Sequence, residues 1–501
     1  MLLNCGEAKD KISITTNNTI ISNKDVKPKK YFGKTKFVKD YGAIGDGIKD
    51  DTKAIQSALD DGNGTVILQK THKISASLIN RNKNVITFQG QGKAEILATE
   101  NSFFKFENFN DITISEVKAN PPFLNLIGED NYDTVKILNC DIHADISKTP
   151  VAKNYAILAT GSQHIAGIDM NYNSFTNTTV FYAAKELSTS KLEMKDNVIK
   201  NFKSFVIAIK NSDYTYFENN KIDGCMSGTK SVRVLLRTGL KETHFKNNLI
   251  ENINSNVMTS VIYSSSGTLF CDKNTFNNIK GDGNSYIIAD KSSSKQKWFI
   301  TNNTYDQQKV VDQKLNGFIS GGNNEVIIEN NNFKNAGQKL IQLGTTSKDS
   351  ISTKISIIKN NKFQGIRYPG CINLTFNTGP VLIEGNEVND FKNPKKIRSL
   401  HDAMCRFVNF TNTSAKYTLG EVTIQNNELK NVDENSSLVW FNSKNGGGIS
   451  KIIIKNNNMD SGKYLINYRN NETKPNIQLI GNSINSTIRI ENKVNENLLK
   501  N

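Results

Sequence analysis

At 501 residues the chain is too long for one ordinary globular core. With 37% apolar residues, only 8 Pro and no Pro/Ser-rich break after residue 37, it reads as one elongated repeat of short strands and polar turns, not a string of domains or a helical bundle. No run of about 18 apolar residues exists, which excludes a membrane-spanning helix. The net charge of +15 is built almost wholly from Lys, 55 against 8 Arg; without a nucleic-acid motif it points to a solvated surface or to an acidic partner such as a polysaccharide.

Residues 1–36 are polar and weakly patterned, which predicts an extended or disordered arm. MLLNC resembles a lipobox but lacks the charged and long apolar regions of a signal peptide. From Phe37 the chain reads FVKDYGAIGDGIKDDTKAIQSAL. Gly45 and Gly47 permit the backbone angles of a turn, and Asp50 or Asp51 is placed to cap a helix near 50–60. Ala54, Ile55, Ala58 and Leu59 give that helix one apolar stripe. After Gly62-Asn63-Gly64 the pattern changes to a buried strand, Thr65 to Leu68. A single amphipathic helix ahead of a strand-rich chain predicts a lid over the open end of a stack.

This segment, with its GDGxxDDT core, resembles the entry segment of the pectate-lyase-like superfamily, which includes polysaccharide lyases and phage tailspike depolymerases. The resemblance implies an all-β fold, a single-stranded right-handed parallel β-helix over 37–490, capped by the short helix and followed by a tail at 491–501. It also implies a protein that works outside the cell, on a cell surface or on a virion. In that superfamily the segment is a cap and carries no chemistry.

Farther on, strand follows strand: VITFQG at Val85, FFKFEN at Phe103, DITISEV at Asp111. From Asn173 a repeat emerges in which a strand ends in Asn, any residue, then an apolar one. It recurs at Asn197, Asn220, Asn248, Asn274, Asn303, Asn331, Asn361, Asn386, Asn427, Asn457 and Asn482, at intervals of 23 to 30 residues apart from one of 41. A period in the twenties without helices predicts a β-solenoid. An Asn at each corner tolerates left-handed angles, and its amide can bond the Asn of the next coil. The long interval, between Asn386 and Asn427, carries a basic excursion with Lys395, Lys396, Arg398, His401 and Arg406.

About ten residues before each Asn lies a second strand, and stacking aligns these into one sheet. Its outward or strand-end positions are read as Lys185, Lys210, Arg233 or Arg237, Tyr263, Asp290, Gln342, Asn373 and Asn409. Scarce Arg falls twice in one strand, at Arg233 and Arg237, a coil after Lys210. That combination suits β-elimination on a uronate, in which a base removes a carbon-bound proton and cations hold the developing negative charge.

The stretch FVIAIKNSDYTYFENNKI followed by VRVLLRTGLKETHFKNNLI is similar to the paired coils of the chondroitinase B and alginate lyase family. The resemblance implies Lys210 as base and Arg237 as its partner, acting on an acidic polysaccharide; Lys185, Arg233, Tyr263 and Asp290 on the outward strip and His401 in the basic excursion are the expected substrate contacts. Thr238 stands where that family usually shows His. Calcium is the cofactor the resemblance implies, without assignable ligands in this sequence. Without the resemblance, Lys210 and Arg237 read equally as solvated residues of an ordinary coil. A non-catalytic glycan-binding or receptor-binding spike, a glycoside hydrolase and an epimerase on the same fold stay open, as does a monomer or a trimer. A hydrolase needs paired carboxylates, and Asp290 has no evident partner. Six scattered Cys without a CxxC predict unpaired thiols.

Overall fold

The computed structural model describes residues 33–484 with interruptions, the longest at 146–154, 308–316, 345–354, 392–405, 411–419 and 442–450. It forms a right-handed parallel β-helix. Among the described residues one sheet holds 31 strands and a second holds 15, every pairing between coils being parallel. Fifteen strands stacked at ~4.8 Å make a spine of about 70 Å.

One coil shows how sequence makes the turn. The strand His164–Asn171 sends Ile168 and Met170 inward and leaves Asp169 on the outer face. Tyr172 then takes a left-handed conformation, φ 63°, and Asn173 turns the chain into Ser174–Thr176. A second left-handed residue, Asn177, leads into Thr179–Ala183 of the other sheet. Apolar residues that recur at the same point of successive coils stack on one another; Phe217 and Phe245 lie 4.9 Å apart at 3°.

The repeated asparagines form one continuous ladder, but not as the left-handed residues. That conformation belongs to the residue before each of them, for example Asn219, Asn247, Asn302 and Asn330, with Gly385 and Gly481 at two corners. The ladder Asn itself is buried and sends its side chain along the axis. Asn303 Oδ1 accepts from both the backbone N–H and Nδ2 of Asn274, at 2.9 Å each. Asn303 Nδ2 in turn donates to Asn331 Oδ1 and to Cys271 O, again at 2.9 Å. The first rung is Cys140, whose N–H donates to Asn173 Oδ1 and whose thiol is pushed up to about 12 by burial. Cys140, Cys225, Cys271 and Cys371 are free thiols, as the sequence predicts.

At the N-terminal end the helix Thr52–Asp60 buries Ala54, Ile55, Ala58 and Leu59 against the first coils, as its stripe requires. The strand Lys34–Phe37 pairs with Gly64–Ile67. Gly64 sits at φ 137° with Lys34 O 2.1 Å from where a Cβ would stand, so no larger residue fits. The two aspartates divide their work. Asp50 accepts from Ser75 Oγ and Thr52, bonds that hold its carboxyl down to about 2, and so supplies the cap. Asp51 instead gathers the preceding loop, accepting from Ile44 N–H at 2.8 Å, Gly45 N–H at 2.9 Å and His72 Nδ1 at 2.8 Å. Because Asp51 and His72 are both buried, Asp51→Ala strands three polar groups at once. A loss of about 3 kcal/mol is expected in urea melts of the variant, with Asp51→Asn intermediate.

Candidate functional site

The face that merits attention is the outer side of the second sheet. Register there runs coil by coil through Tyr182, Ala208, Leu236, Tyr263, Ala289, Ser320, Gln342, Asn373, Asn409, Trp440 and Asn467. The residue after many of them, such as Leu343, Leu374 and Phe410, belongs to the core, so strand alternation turns the described side chains of this column away from it, although Asn373, Asn409, Trp440 and Asn467 are buried. Three residues earlier lies a second outward row, including Tyr155, Phe205, Arg233 and Arg406.

Side chains cross between the two rows. Tyr155 and Tyr182 stack with centroids 5.1 Å apart, and Tyr182 and Phe205 at 6.3 Å. Phe205 pairs in register with Arg233, whose guanidinium lies 4.7 Å from the centre of the Tyr263 ring on the next coil. Five successive coils thus carry two stacked groups, Tyr155–Tyr182–Phe205 and Arg233–Tyr263, that adjoin in register. Farther along, Tyr286 OH reaches Gln342 Oε1 at 3.0 Å, and Asn409 Nδ2 donates to Asn373 Oδ1 at 2.6 Å. Arg406 repeats the Arg233 arrangement on Trp440, at 4.0 Å.

Electrostatics separate this face from the other. On the outer side of the first sheet Lys side chains meet carboxylates of their own or the neighbouring coil, as in Lys191 with Glu193 at 2.8 Å and Lys359 with Glu384 at 3.1 Å. Such exposed pairs are worth little in stability, but they cancel charge. Arg233 has no ion pair among the described residues, and its Nε is buried without a hydrogen-bond partner. Burial lowers its pKa. Lys203, at the turn into Phe205–Ile209, is likewise half-buried without an ion pair among the described residues, and burial lowers its pKa too. A desolvated cation stacked on an aromatic ring is a ready acceptor of an anionic group.

Of the residues singled out in the sequence, Arg233 and Tyr263 stand together on this face. Arg237 ends the strand Val232–Arg237, its backbone paired with Ile209 and Ser264. Lys185, Lys210, Asp290 and His401 lie outside the described residues. Among the described residues no three His, Cys, Asp or Glu side chains stand close enough to hold a metal ion, so calcium finds no ligand set there. No helix among them is long and apolar enough to cross a membrane. Sequence reading missed the aromatic run from Tyr155 to Phe205, Lys203, and the pairing of Arg406 with Trp440. The paired rows that carry them emerge only once the register is known.

His244 belongs to the opposite face. It is stacked between Tyr216 at 4.9 Å and Phe270 at 4.8 Å, in a row that continues to Phe299. Burial lowers its pKa, against the pull of Glu242 Oε2 at 3.2 Å. A lowered folded value means that the neutral ring contributes stability above the ordinary His range near pH ~6.5, and that this stability is lost as pH falls through the lowered value. Urea midpoints are therefore expected to drop between about pH 7 and pH 5 by more in the parent protein than in His244→Phe, which keeps the stack and removes the titration.

No family model and no curated protein matches the chain. Among solved structures it is similar to the catalytic unit of an α-1,3-glucanase from Streptomyces thermodiastaticus, with 13% identity, 83% of this chain and 68% of that one covered, and a TM-score of 0.36. A mannuronan C-5 epimerase module from Azotobacter vinelandii gives 12%, 90% and 99% with a TM-score of 0.26. A surface adhesin of Streptococcus pneumoniae gives 15%, 91% and 92% with a TM-score of 0.23. Likeness of this degree bears on neither reaction nor ligand.

Proposed function

We propose that the protein is a carbohydrate-active β-helix, working outside the cell or on a virion, that lays an acidic polysaccharide along the outer face of its second sheet and cleaves it by β-elimination. The supporting observation is Arg233: a desolvated guanidinium without a carboxylate partner among the described residues, packed on Tyr263 in the middle of a row of aromatic and amide side chains. A uronate carboxylate placed there replaces the missing counter-charge through two parallel N–H···O bonds.

Lys210, which follows the strand Phe205–Ile209, is assigned as the base, and Arg237, a coil later, as a second cation for the carboxylate. The base takes the proton from the carbon beside the carboxylate, and the electron pair of that C–H bond forms the new carbon–carbon double bond. The neighbouring glycosidic C–O bond breaks, and its oxygen leaves with a proton from water. Arg side chains gain in binding as negative charge builds on the carboxylate oxygens, which is the differential stabilisation that lowers a barrier.

The test is a panel of polygalacturonate, alginate and hyaluronan. New far-ultraviolet absorbance of an unsaturated uronate, appearing with new reducing ends and abolished by Lys210→Ala, is the expected result. New reducing ends without the absorbance would replace elimination by hydrolysis. Binding with neither signal would leave a glycan-binding module without catalysis.

A further inference from the structure

We infer that the outer face of the first sheet binds a second copy of this chain, the two β-helices lying antiparallel about a two-fold axis that passes between Phe299 and Ile327. A sheet face open to solvent is expected to be polar, yet the middle outward column here is apolar over successive coils. Tyr216, His244, Phe270 and Phe299 form its aromatic half, in register and stacked at 4.8 to 5.1 Å. Ile327, Ile357 and Leu382 continue it as an aliphatic half, and Thr423 closes it. All of these side chains are half-buried, while alternate residues of the same strands enter the core. The stacked rings lie within 15° of parallel, so each covers its neighbour's face and presents an edge outward. A sugar would stack on a ring face, whereas ring edges pack against aliphatic groups, which suits a protein surface.

The two halves complement each other, which is what a two-fold interface requires of one surface. Across the axis Phe299 of one copy meets Ile327 of the other, Phe270 meets Ile357 and His244 meets Leu382, each contact occurring twice. The charged columns on either flank agree with the same axis. Two residues after the apolar column run Lys246, Asp272, Thr301, Glu329, Lys359 and Glu384. The axis sets Lys246 against Glu384 and Asp272 against Lys359, and on the other flank Lys297 against Glu325. Moving it half a coil in either direction sets Asp272 against Glu329 or against Glu384. A full coil sets Glu242 against Glu325 or Lys246 against Lys455. Charge therefore selects one register among those that an apolar stripe alone would allow. From Tyr216 to Thr423 the contact is about 34 Å long and, across three outward columns, about 14 Å wide; both copies together give about 1,000 Å², the size at which specific interfaces begin. Arg233 and Tyr263 belong to the other sheet, so the proposed polysaccharide face stays uncovered in the pair.

Sedimentation equilibrium of the full chain tests this. The parent is expected to reach twice the mass of one chain, with a dissociation constant on the order of micromolar for an interface of this size. Ile327→Glu, which puts a charge at the centre of the stripe, is expected to leave a monomer at ~100 μM protein with an unchanged strand signal in circular dichroism. Lys246→Glu and Glu384→Lys, each of which sets like charges face to face, are expected to raise the dissociation constant about tenfold. The double variant, Lys246→Glu with Glu384→Lys, is expected to return it to within about threefold of the parent's. These two positions lie five coils apart in one chain, about 24 Å, so their charges compensate each other only between copies. A parent that stays monomeric, a trimer, or a dimer indifferent to Ile327→Glu would overturn the pairing. Single charge variants that weaken the dimer without rescue in the double variant would overturn the antiparallel two-fold.

Discussion

Asn303→Ala is expected to lower stability by about 4 kcal/mol or more, a larger effect than trimming most core residues of similar size. The reason lies in how many groups this one amide satisfies. Its Oδ1 takes the backbone N–H and the Nδ2 of Asn274, and its Nδ2 serves Asn331 Oδ1 and Cys271 O, all in the buried interior. Alanine removes all four bonds where water does not reach. Asn274 Nδ2 keeps Phe245 O and Asn331 Oδ1 keeps the backbone N–H at position 303, while the Asn274 N–H loses its partner. Each lost bond therefore costs roughly 1 kcal/mol and the stranded donor up to about 3, less whatever the coils recover by shifting. Asn482, the last rung among the described residues, is only half-buried, and Asn482→Ala should cost less than half as much in the same urea melts. Asn303→Asp adds a sign that alanine cannot. An aspartate accepts from Asn274 but has nothing to donate to Asn331 Oδ1 or Cys271 O unless it is protonated, so its folded pKa lies above the ordinary Asp value. Stability tied to a raised pKa is present at low pH and lost as pH rises through it, so this variant should be less damaged at about pH 5 than at about pH 8. Equal midpoints for parent and Asn303→Ala would mean that the ladder decorates a stack held by apolar contacts alone.

The ladder is also where the sequence was most legible. A period near 28 marked by Asn, any residue, apolar shows every coil from Asn173 on, because the same buried amide must recur at the same height. What the pattern hides is which residue bends the chain. The left-handed positions are mostly Asn or Gly, the types that tolerate that conformation, with Asp, Lys and Tyr at the others; an Asn that bends the chain beside the Asn of the ladder cannot be told from it in sequence. Coils before Asn173 are harder to read for a related reason. Lys70, Lys93 and Glu116 make their left-handed bends, Cys140 replaces the first amide, and long strands such as Gly64–Ile74 pass through the corner with a shifted register. In the cap, the GDGxxDDT residues announced a turn and a helix, but the split between Asp50 as cap and Asp51 as anchor depends on His72, which lies 21 residues beyond Asp51. Arg233 was legible as chemistry because Arg is scarce and falls twice in one strand, and Tyr263 because it takes an outward place in its strand. Trp440 was not, because its partner Arg406 precedes it by 34 residues and only the stacking of coils brings them together.

Arg233 is where function and stability should part. Its guanidinium is half-buried and its Nε has no hydrogen-bond partner, so the folded protein carries a desolvation cost that stacking on Tyr263 offsets only in part. Arg233→Met removes the charge and keeps an unbranched apolar stem over the ring, and its urea midpoint is expected to equal or exceed the parent's. Affinity for an acidic polysaccharide should move the other way, by roughly 10- to 100-fold, the worth of a charge-assisted pair of about 1.5–3 kcal/mol. Arg233→Lys restores the charge without the planar fork and should recover only a small part of that loss. Lys359→Gln serves as the control, because Lys359 is paired with Glu384 on the opposite sheet and its loss removes a charge without touching the proposed surface. If both variants bind equally weakly, net charge alone draws the polymer in; if only the Arg233 variants fail, the anion is held at a built site on the second sheet. Rising salt sharpens the distinction, since screening weakens long-range attraction to +15 far more than a bond to a half-buried guanidinium.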